Sequence, residues 1–385
     1  MSNKNFFSSD FKLGILGGGQ LGKMLLYHTR KYDIQTKVLD PSPDAPARLA
    51  ADHFETGSLL DYDTVVAFGK DVDVLTIEIE AVNTDALKTL QKQGIKCFPQ
   101  PEVLELIKNK ARQKEFYSQN AIPTADFEVY SAFAKAQKSA LKRPFPFIWK
   151  AATGGYDGMG VKVVRSEKDL HALPDTECIL EDMIAFELEL AVIVARNPSG
   201  NSVSYPVVEM EFHPEANQVE YVICPARISS EIAEKARALA LQVSNAFEHI
   251  GLLAVEMFLT KEGELLVNEV APRPHNSGHY SIEGAYTDQF EQHLRCVLDL
   301  PLGKTDSKVA AIMVNLVGAE GHTGNVKYKN IEQILAEPGV IPHIYGKKRT
   351  RPFRKMGHVT IIDEDMNVAR KRAEKVKSTI QVISS

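Results

Sequence analysis

The sequence predicts an α/β and α+β chain of three domains: a doubly wound parallel-sheet domain, a strand-rich mixed domain and a small C-terminal domain. Three observations carry this. Short apolar runs alternate with helical patterns over the first hundred residues. From about Ala121 the texture changes to closely spaced strands interrupted by one long helix. After "DLPLG", near Gly303, a short tail follows with its own strands and a basic segment. The expected boundaries are 1–105, then 106–302 with a small lid at about 121–185, then 303–385.

The 385 residues are 44% hydrophobic and 25% charged, ordinary for a globular chain and too many for one small core. A net charge of −5 and a pI near 6.2 give no global attraction to nucleic acid or an anionic membrane. An anionic ligand must therefore be held by a local cluster. Cys97, Cys178, Cys224 and Cys296 form no C-x-x-C pair, which fits buried thiols in a reducing compartment rather than a disulfide framework or zinc knuckle. With no apolar leader and no run long enough to span a bilayer, the expected setting is cytoplasmic.

In the first domain "KLGIL" and "QTKVLD" read as strands around a helix starting near Gln20. "VDVLTIEIE" and "GIKCFP" read as later strands of the same parallel sheet, and "DPSPDAP" as a loop. Gly17-x-Gly19-x-x-Gly22, with Asp40 ending the next strand, has the form of a dinucleotide fingerprint. Free N–H groups at a helix start attract anions, so the loop also suits a single phosphate. Equally, its glycines permit a tight turn. "VLELIKNKARQKEFYSQ" reads as one basic amphipathic helix leading out of the domain.

The second domain reads as strands "FPFIWKAA", "GVKVVRS", "CILEDM", "FELELAVIVAR", "SVSYPVVEMEF" and "QVEYVIC", then the helix "SSEIAEKARALALQVSNAFEHI" and the hairpin "GLLAVEMFLTKEGELLVNEVAP". In "IWKAATGGYDGMGVKVV", Lys150 ends a strand, and Gly154, Gly155, Gly158 and Gly160 let a turn fold its N–H groups over phosphates. No G-K-[ST] follows, so this is a strand–turn–strand flap and not a Walker A loop. A hairpin turn at Glu262-Gly263 registers Glu256 opposite Glu269. Facing carboxylates repel, and no neighbour on these apolar strands offers an ion-pair partner. A shared Mg²⁺ would remove the repulsion. The plainer alternative is a shifted register with one glutamate exposed. Strict alternation turns Asn268 to the other face. Beyond the hairpin, Arg273, His275, Asn276 and His279 crowd "APRPHNSGHY". The histidines lack a third ligand at zinc spacing, while Arg plus amides suit an oxyanion or phosphate. The tail's strands "AAIMVNLVG" and "HVTIID" flank Lys347, Lys348, Arg349, Arg351, Arg354 and Lys355, a basic run whose Pro and Gly punctuation reads as an ordered anion site.

In this order, the glycine loop, Lys150 with "TGGYDGMG", the Glu256 and Asn268-Glu269 hairpin, "APRPHNSGHY" and "RPFRKMGH" resemble the ATP-grasp superfamily. More narrowly, they resemble the N5-carboxyaminoimidazole ribonucleotide synthetase family, from about Lys12 to the C-terminus. "APR" with "NSGH", and "RKMGH", are the specific signatures. The resemblance implies an ATP-grasp fold with a pre-ATP-grasp domain and a small C-terminal domain, usually as a homodimer. It implies ATP-dependent carboxylation of 5-aminoimidazole ribonucleotide by bicarbonate in purine biosynthesis, with no nucleic-acid or membrane partner. ATP would meet Lys110, Lys150, the flap Gly155, Tyr156, Asp157, Gly158, Met159, Gly160 and Val161, the run Glu181, Asp182, Met183 and Ile184, and Glu189, His213, Asn268 and Glu269. Mg²⁺ would sit on Glu256 and Glu269. The ribonucleotide would lie against Gly19, Gln20, Leu21, Glu80, Arg273, His275, Asn276, Lys347, Arg351 and Arg354. Of these, Arg273, His275, Lys347 and Arg354 would serve the chemistry with Asp157, which would orient or deprotonate the amine. Lys110 stands where some relatives carry arginine, and Met159 occupies a flap position commonly basic in the family.

Overall fold

The computed structural model describes residues 6–154, 160–214 and 218–385. Five parallel strands open it: β1 (Lys12–Leu16), β2 (Gln35–Asp40), β3 (His53–Thr56), β4 (Val74–Ile77) and β5 (Lys96–Phe98), in the order β3-β2-β1-β4-β5. Helices α1 (Gln20–Lys31), α2 (Tyr62–Gly69) and α3 (Thr84–Lys92) lie between them. β4 is buried throughout and β1 nearly so, which is why both read as unbroken apolar runs. β3 escapes sequence reading because it is an edge strand with three of its four residues exposed. The single helix expected over 103–119 is two, α4 (Pro101–Lys108) and α5 (Lys110–Gln119). Asn109 between them is extended (φ −109°, ψ 106°), and its side chain accepts from the Arg112 N–H at 3.0 Å as the cap of α5. Hydrophobic periodicity does not register a change of direction at one residue.

Next comes a sheet of four antiparallel strands in the order β6-β9-β7-β8, with two helices: β6 (Phe127–Tyr130), α6 (Phe133–Ala140), β7 (Phe147–Ala151), β8 (Val161–Val164), α7 (Glu167–Leu170) and β9 (Cys178–Asp182). Alternation divides its faces. Phe147, Trp149, Cys178 and Leu180 pack under α6, and the opposite face carries Lys150 and Glu181.

The remaining elements build around one large sheet. They are β10 (Phe186–Arg196), β11 (Ser202–Ser204), β12 (Val208–Phe212), β13 (Val219–Cys224), α8 (Ser230–Phe247), β14 (Gly251–Thr260) and β15 (Leu265–Ala271). Short helices α9 (Ser281–Gly284) and α10 (Gln289–Val297) precede β16 (Ala310–Val317), β17 (Gly324–Lys329) and β18 (Val340–Ile344). Then follow β19 (Arg349–Thr350), β20 (Lys355–Asp363), α11 (Met366–Thr379) and β21 (Gln381–Ser384). "SVSYPVVEMEF" forms two strands, β11 and β12, since Pro206 lies between them and has no N–H for a ladder. The large sheet runs β15-β14-β10-β12-β13-β16-β20-β18, with β11 on β10, so it continues unbroken across residue 303.

Ser229 caps α8 by accepting from the Ile232 N–H, and Ala236, Leu239, Ala240, Val243 and Phe247 form its buried stripe. That stripe packs on Val255, Met257, Val267 and Val270 of the β14–β15 hairpin, each contact burying side chains worth about 1.5–3 kcal/mol apiece. α10 sets Phe290, Leu294 and Val297 against Leu13, Ile15 and Leu25, with Tyr345 in the same core. The opening sheet, the large sheet and the tail are thereby locked around one cleft. No helix among the described residues is long and apolar enough to cross a membrane.

Candidate active site

The floor of the cleft is the β14–β15 hairpin. Glu256 and Glu269 stand directly opposite each other, as the sequence predicts, but by a different route. Near the turn Leu259 pairs with Leu265 and Met257 with Val267, a register that would bring Asn268 opposite Glu256. A bulge at Asn268 takes up one residue and puts Glu269 there instead. Val267 and Val270, three apart, therefore both face the core under α8, and Glu269 faces the cleft. The bulge also reverses the expectation that Asn268 turns away: its Oδ1 lies 3.3 Å from Lys150 Nζ.

Both glutamates have partners, supplied from outside the hairpin. Lys110, the first residue of α5, donates to Glu269 at 2.8 Å, and its own N–H bonds Ala152 O at 2.7 Å. The ammonium, more than burial, sets the Glu269 carboxyl below its usual range. His275 Nε2 lies 3.2 Å from Glu256 Oε1. Burial, with the charges of Glu269 and Glu189 adding to it, pushes the Glu256 carboxyl upward. His275 is driven well below an ordinary histidine by burial, then by Arg273 and Lys355. Both shifts disfavour the charged forms, and the two side chains meet as a hydrogen-bonded pair. His275 Nδ1 accepts from the Ser277 N–H at 3.3 Å, which leaves the proton on Nε2, facing Glu256. Glu189 on β10 shares this face and is raised to about 7 by burial and by Glu269. Glu189, Glu256 and Glu269 share one face, and two of them are pushed toward neutrality, a mutual repulsion that a dication between Glu256 and Glu269 would relieve.

Lys150 and Glu181, diagonal neighbours on β7 and β9, meet at 2.5 Å. Asp182, one residue on, points to the opposite face, where Arg143 pairs with it. Met183 is 48% exposed in the link to β10. His213 directly follows β12, with its ring 5.9 Å from that of Phe353, and Phe353 holds the left-handed conformation at φ 59°. Val161 starts β8, and Gly160 O just before it accepts from the Ala151 N–H. Gly155, Tyr156, Asp157, Gly158 and Met159 lie outside the described residues.

The opening glycine loop closes the other side, and here the dinucleotide alternative fails. Glu78, just past β4, fills the start of α1: its carboxylate accepts the N–H groups of Gly19 at 2.9 Å, Leu21 at 3.1 Å and Gly22 at 3.0 Å. Asp40 takes the Gly18 N–H at 2.7 Å and the Ser42 N–H at 2.8 Å. The anion at this helix start is thus the chain's own side chain, and Asp40 clamps the loop. A Cβ at Gly19 would meet Glu78 Oε1 at 2.5 Å, so any side chain there would push the carboxylate off these N–H groups. Gln20 starts α1 beside it. Two residues beyond Glu78, Glu80 pairs with Arg273 Nε at 2.9 Å, joining this loop to the end of the hairpin.

Asn276 is held by a reciprocal amide pair with Asn315 of β16, at 2.9 and 2.8 Å, and His279 Nδ1 meets Gln289 at 2.8 Å. The basic run divides. Lys348 turns out to Asp44, in the loop after β2. Lys347 turns in, donating to Lys355 O at 2.8 Å over the Tyr345 ring. Arg354 donates to Arg349 O at 2.6 Å, and Arg351 is exposed beside it. Sequence reading missed Glu78, Lys114 and Asn315. Only Lys114 left a signal, its i+4 spacing from Lys110.

The chain matches three domain families in series. They are the ribonucleotide synthetase preATP-grasp domain over 11–108, the ATP-grasp domain over 115–290 and the phosphoribosylaminoimidazole carboxylase C-terminal domain over 311–372. It is 36% identical to the N5-carboxyaminoimidazole ribonucleotide synthase of Bacillus subtilis, over 91% of each chain. It is 39% identical to the phosphoribosylaminoimidazole carboxylase of Ogataea methanolica and 38% to that of Saccharomyces cerevisiae, but spans only 70% and 65% of those longer proteins. Among solved structures, N5-carboxyaminoimidazole ribonucleotide synthetase from Thermotoga maritima superposes with a TM-score of 0.90 at 42% identity, covering 97% of this chain and all of that one. The Aspergillus clavatus enzyme in complex with ADP and 5-aminoimidazole ribonucleotide gives 0.87 at 34%, covering 96% and 98%.

Proposed function

The chain belongs to the N5-carboxyaminoimidazole ribonucleotide synthase family of ATP-grasp ligases, and from that premise we propose how its cleft works. The reaction is carboxylation of the 5-amino group of 5-aminoimidazole ribonucleotide, at the expense of ATP and bicarbonate, in purine biosynthesis. The observation that carries this is the in-register Glu256–Glu269 pair, flanked on one side by Lys110 and Lys150 and on the other by Arg273 and His275. Phosphate ligands and an acceptor amine would meet over that floor.

Bicarbonate carbon is electron-rich and a poor target for an amine. A bicarbonate oxygen therefore attacks the γ-phosphorus of ATP, the bond to the β–γ bridging oxygen breaks, and carboxyphosphate and ADP result. Lys110 and Lys150 oppose the charge that builds on the phosphate oxygens, the kind of fixed electrostatic help that dominates phosphoryl transfer. Glu256 and Glu269 would hold Mg²⁺, which when bound supplies further neutralisation of those oxygens. The amine then forms the C–N bond to the carboxyl carbon of carboxyphosphate, or to CO₂ released from it, and inorganic phosphate leaves. Its proton passes to a base, for which Asp157 is the candidate. Neutral His275, with Nε2–H toward Glu256, is placed to donate to a carboxylate rather than to accept the proton. Lys347, Arg351 and Arg354 would bind the ribonucleotide phosphate, with Asn276, Arg273 and Glu80 around the base and sugar. A homodimer in the cytoplasm completes the reading, and sedimentation tests the dimer.

ADP release with MgATP and bicarbonate, with and without the ribonucleotide, tests the function. Strong stimulation with matching loss of the free amine is expected. Release indifferent to the ribonucleotide would overturn the acceptor assignment.

A further inference from the structure

Glu181 is a buried carboxylate between two lysines, and only one of them faces the cleft. Lys150 Nζ lies 2.5 Å from Oε2, and Lys114 Nζ lies 2.6 Å from Oε1. Glu181 and Lys114 are almost fully enclosed, with side chains 4% and 3% exposed, while Lys150 is 12% exposed. Lys114 is fixed in place: it also contacts the Thr124 hydroxyl, which donates to Val267 O of β15 at 2.6 Å. It is one turn along α5 from Lys110, so both project to the same side of the helix. The 2.6 Å approach of Lys114 Nζ to Glu181 Oε1 is a charge-assisted contact inside the core, and it holds the carboxyl ionised against burial.

A lone lysine on a buried carboxylate could not leave it cheaply, because the carboxylate left behind would be a buried charge with no partner. We propose that Lys114 is a positioning residue for the ATP reaction: it stays on Glu181 as a permanent counter-charge, so that Lys150 is free to turn from Glu181 and Asn268 to a nucleotide phosphate. Lys114 itself is too enclosed to reach the ligand. Its two neighbouring ammonium groups, on Lys150 and Lys110, repel it, and Glu181 is what keeps it charged against burial, which lowers its pKa to about 8. The inference rests on the reading of the cleft as an ATP site.

The test is calorimetric titration with β,γ-methylene-ATP and Mg²⁺ of the full chain and of Lys114→Met, Glu181→Gln and the double variant. Lys114→Met is expected to weaken binding by about tenfold to a hundredfold, the range of close charge-pair couplings. Turnover at saturating ATP should stay within about threefold, and the ribonucleotide Michaelis constant should not move, a split that general loosening of the fold does not produce. With Glu181 neutral, Lys114 has nothing to offset, so the double variant should bind as Glu181→Gln does. In Glu181→Gln the Lys114 ammonium can shed its proton, and the double variant buries neither charge, so both keep the test readable if Lys114→Met folds poorly. Wild-type affinity in Lys114→Met, or a double variant weaker than Glu181→Gln, overturns the proposal. No binding by the unsubstituted chain overturns the ATP reading and this inference with it.

Discussion

Glu78 closes the glycine loop from inside, and removing it has a calculable consequence. Three N–H groups at the start of α1 lose the carboxylate that accepts them when Glu78 becomes alanine. Hydrogen bonds to a charged acceptor are worth about 1.5–3 kcal/mol each. Three would sum to roughly 4.5–9 kcal/mol if independent, but they share one carboxylate, and burial, which raises the Glu78 pKa, offsets part of the gain. A loss of about 3–5 kcal/mol is expected for Glu78→Ala, read from urea midpoints at unchanged slope. Glu78→Gln should cost nearly as much, because its NH₂ group would face N–H donors where Oε1 or Oε2 now accepts. The same variants should raise the ribonucleotide Michaelis constant, since Gly19 and Leu21 are positioned by these bonds. Stability within about 1 kcal/mol of the parent in both variants would refute the argument that Glu78, rather than packing alone, shapes the loop.

Three further outcomes follow from the geometry. Glu291 ties α10 to α1 by accepting from Lys31 and from the Tyr32 hydroxyl, each at 2.8 Å; burial pushes its carboxyl up, but Lys31, Arg295 and Tyr32 outweigh it and hold it at about 2. A folded pKa below the unfolded one gives stability that is present above about pH 4.5 and lost as pH falls toward 2, worth about 1–2 kcal/mol after screening at the exposed Lys31 end. Glu291→Gln should therefore be less stable than the parent at pH 6, with a gap that closes on acidification; a constant gap from pH 6 to pH 2 would count against it. Glu269→Ala should lower ADP release by about a hundredfold or more, because it removes one of two facing carboxylates and leaves Lys110 unpaired. Arg354→Ala should leave nucleotide affinity within about twofold and raise the ribonucleotide Michaelis constant about tenfold, the scale of a lost charge-assisted phosphate contact; the reverse pattern in steady-state kinetics would place Arg354 on the wrong substrate.

Much of the site was legible because its parts are short-range patterns. A strand–glycine–helix junction, a lysine before a glycine flap and a hairpin with glutamates at matched positions each occupy a few tens of residues or fewer. Local sterics and alternation fix what they can do. The tail's basic run was also visible as charge density, though not which of Lys347 and Lys348 turns inward.

What the sequence alone determined, then, is the succession of most elements and the residue types gathered at the site, down to two glutamates on one hairpin. The tertiary structure decided how those charges are balanced. Glu78 and Gly19 are 59 residues apart, and Lys110 and Glu269 are 159 apart. The partnership of Asn276 with Asn315 spans two segments that meet only because β16 extends the large sheet. Even the matched glutamates owe their register to a bulge at Asn268, which alternation cannot foresee since it obeys no period. Periodicity describes a strand or helix against a generic neighbour. Which carboxylate caps a helix, and which lysine a buried glutamate keeps, depends on distances set only when all the layers have packed.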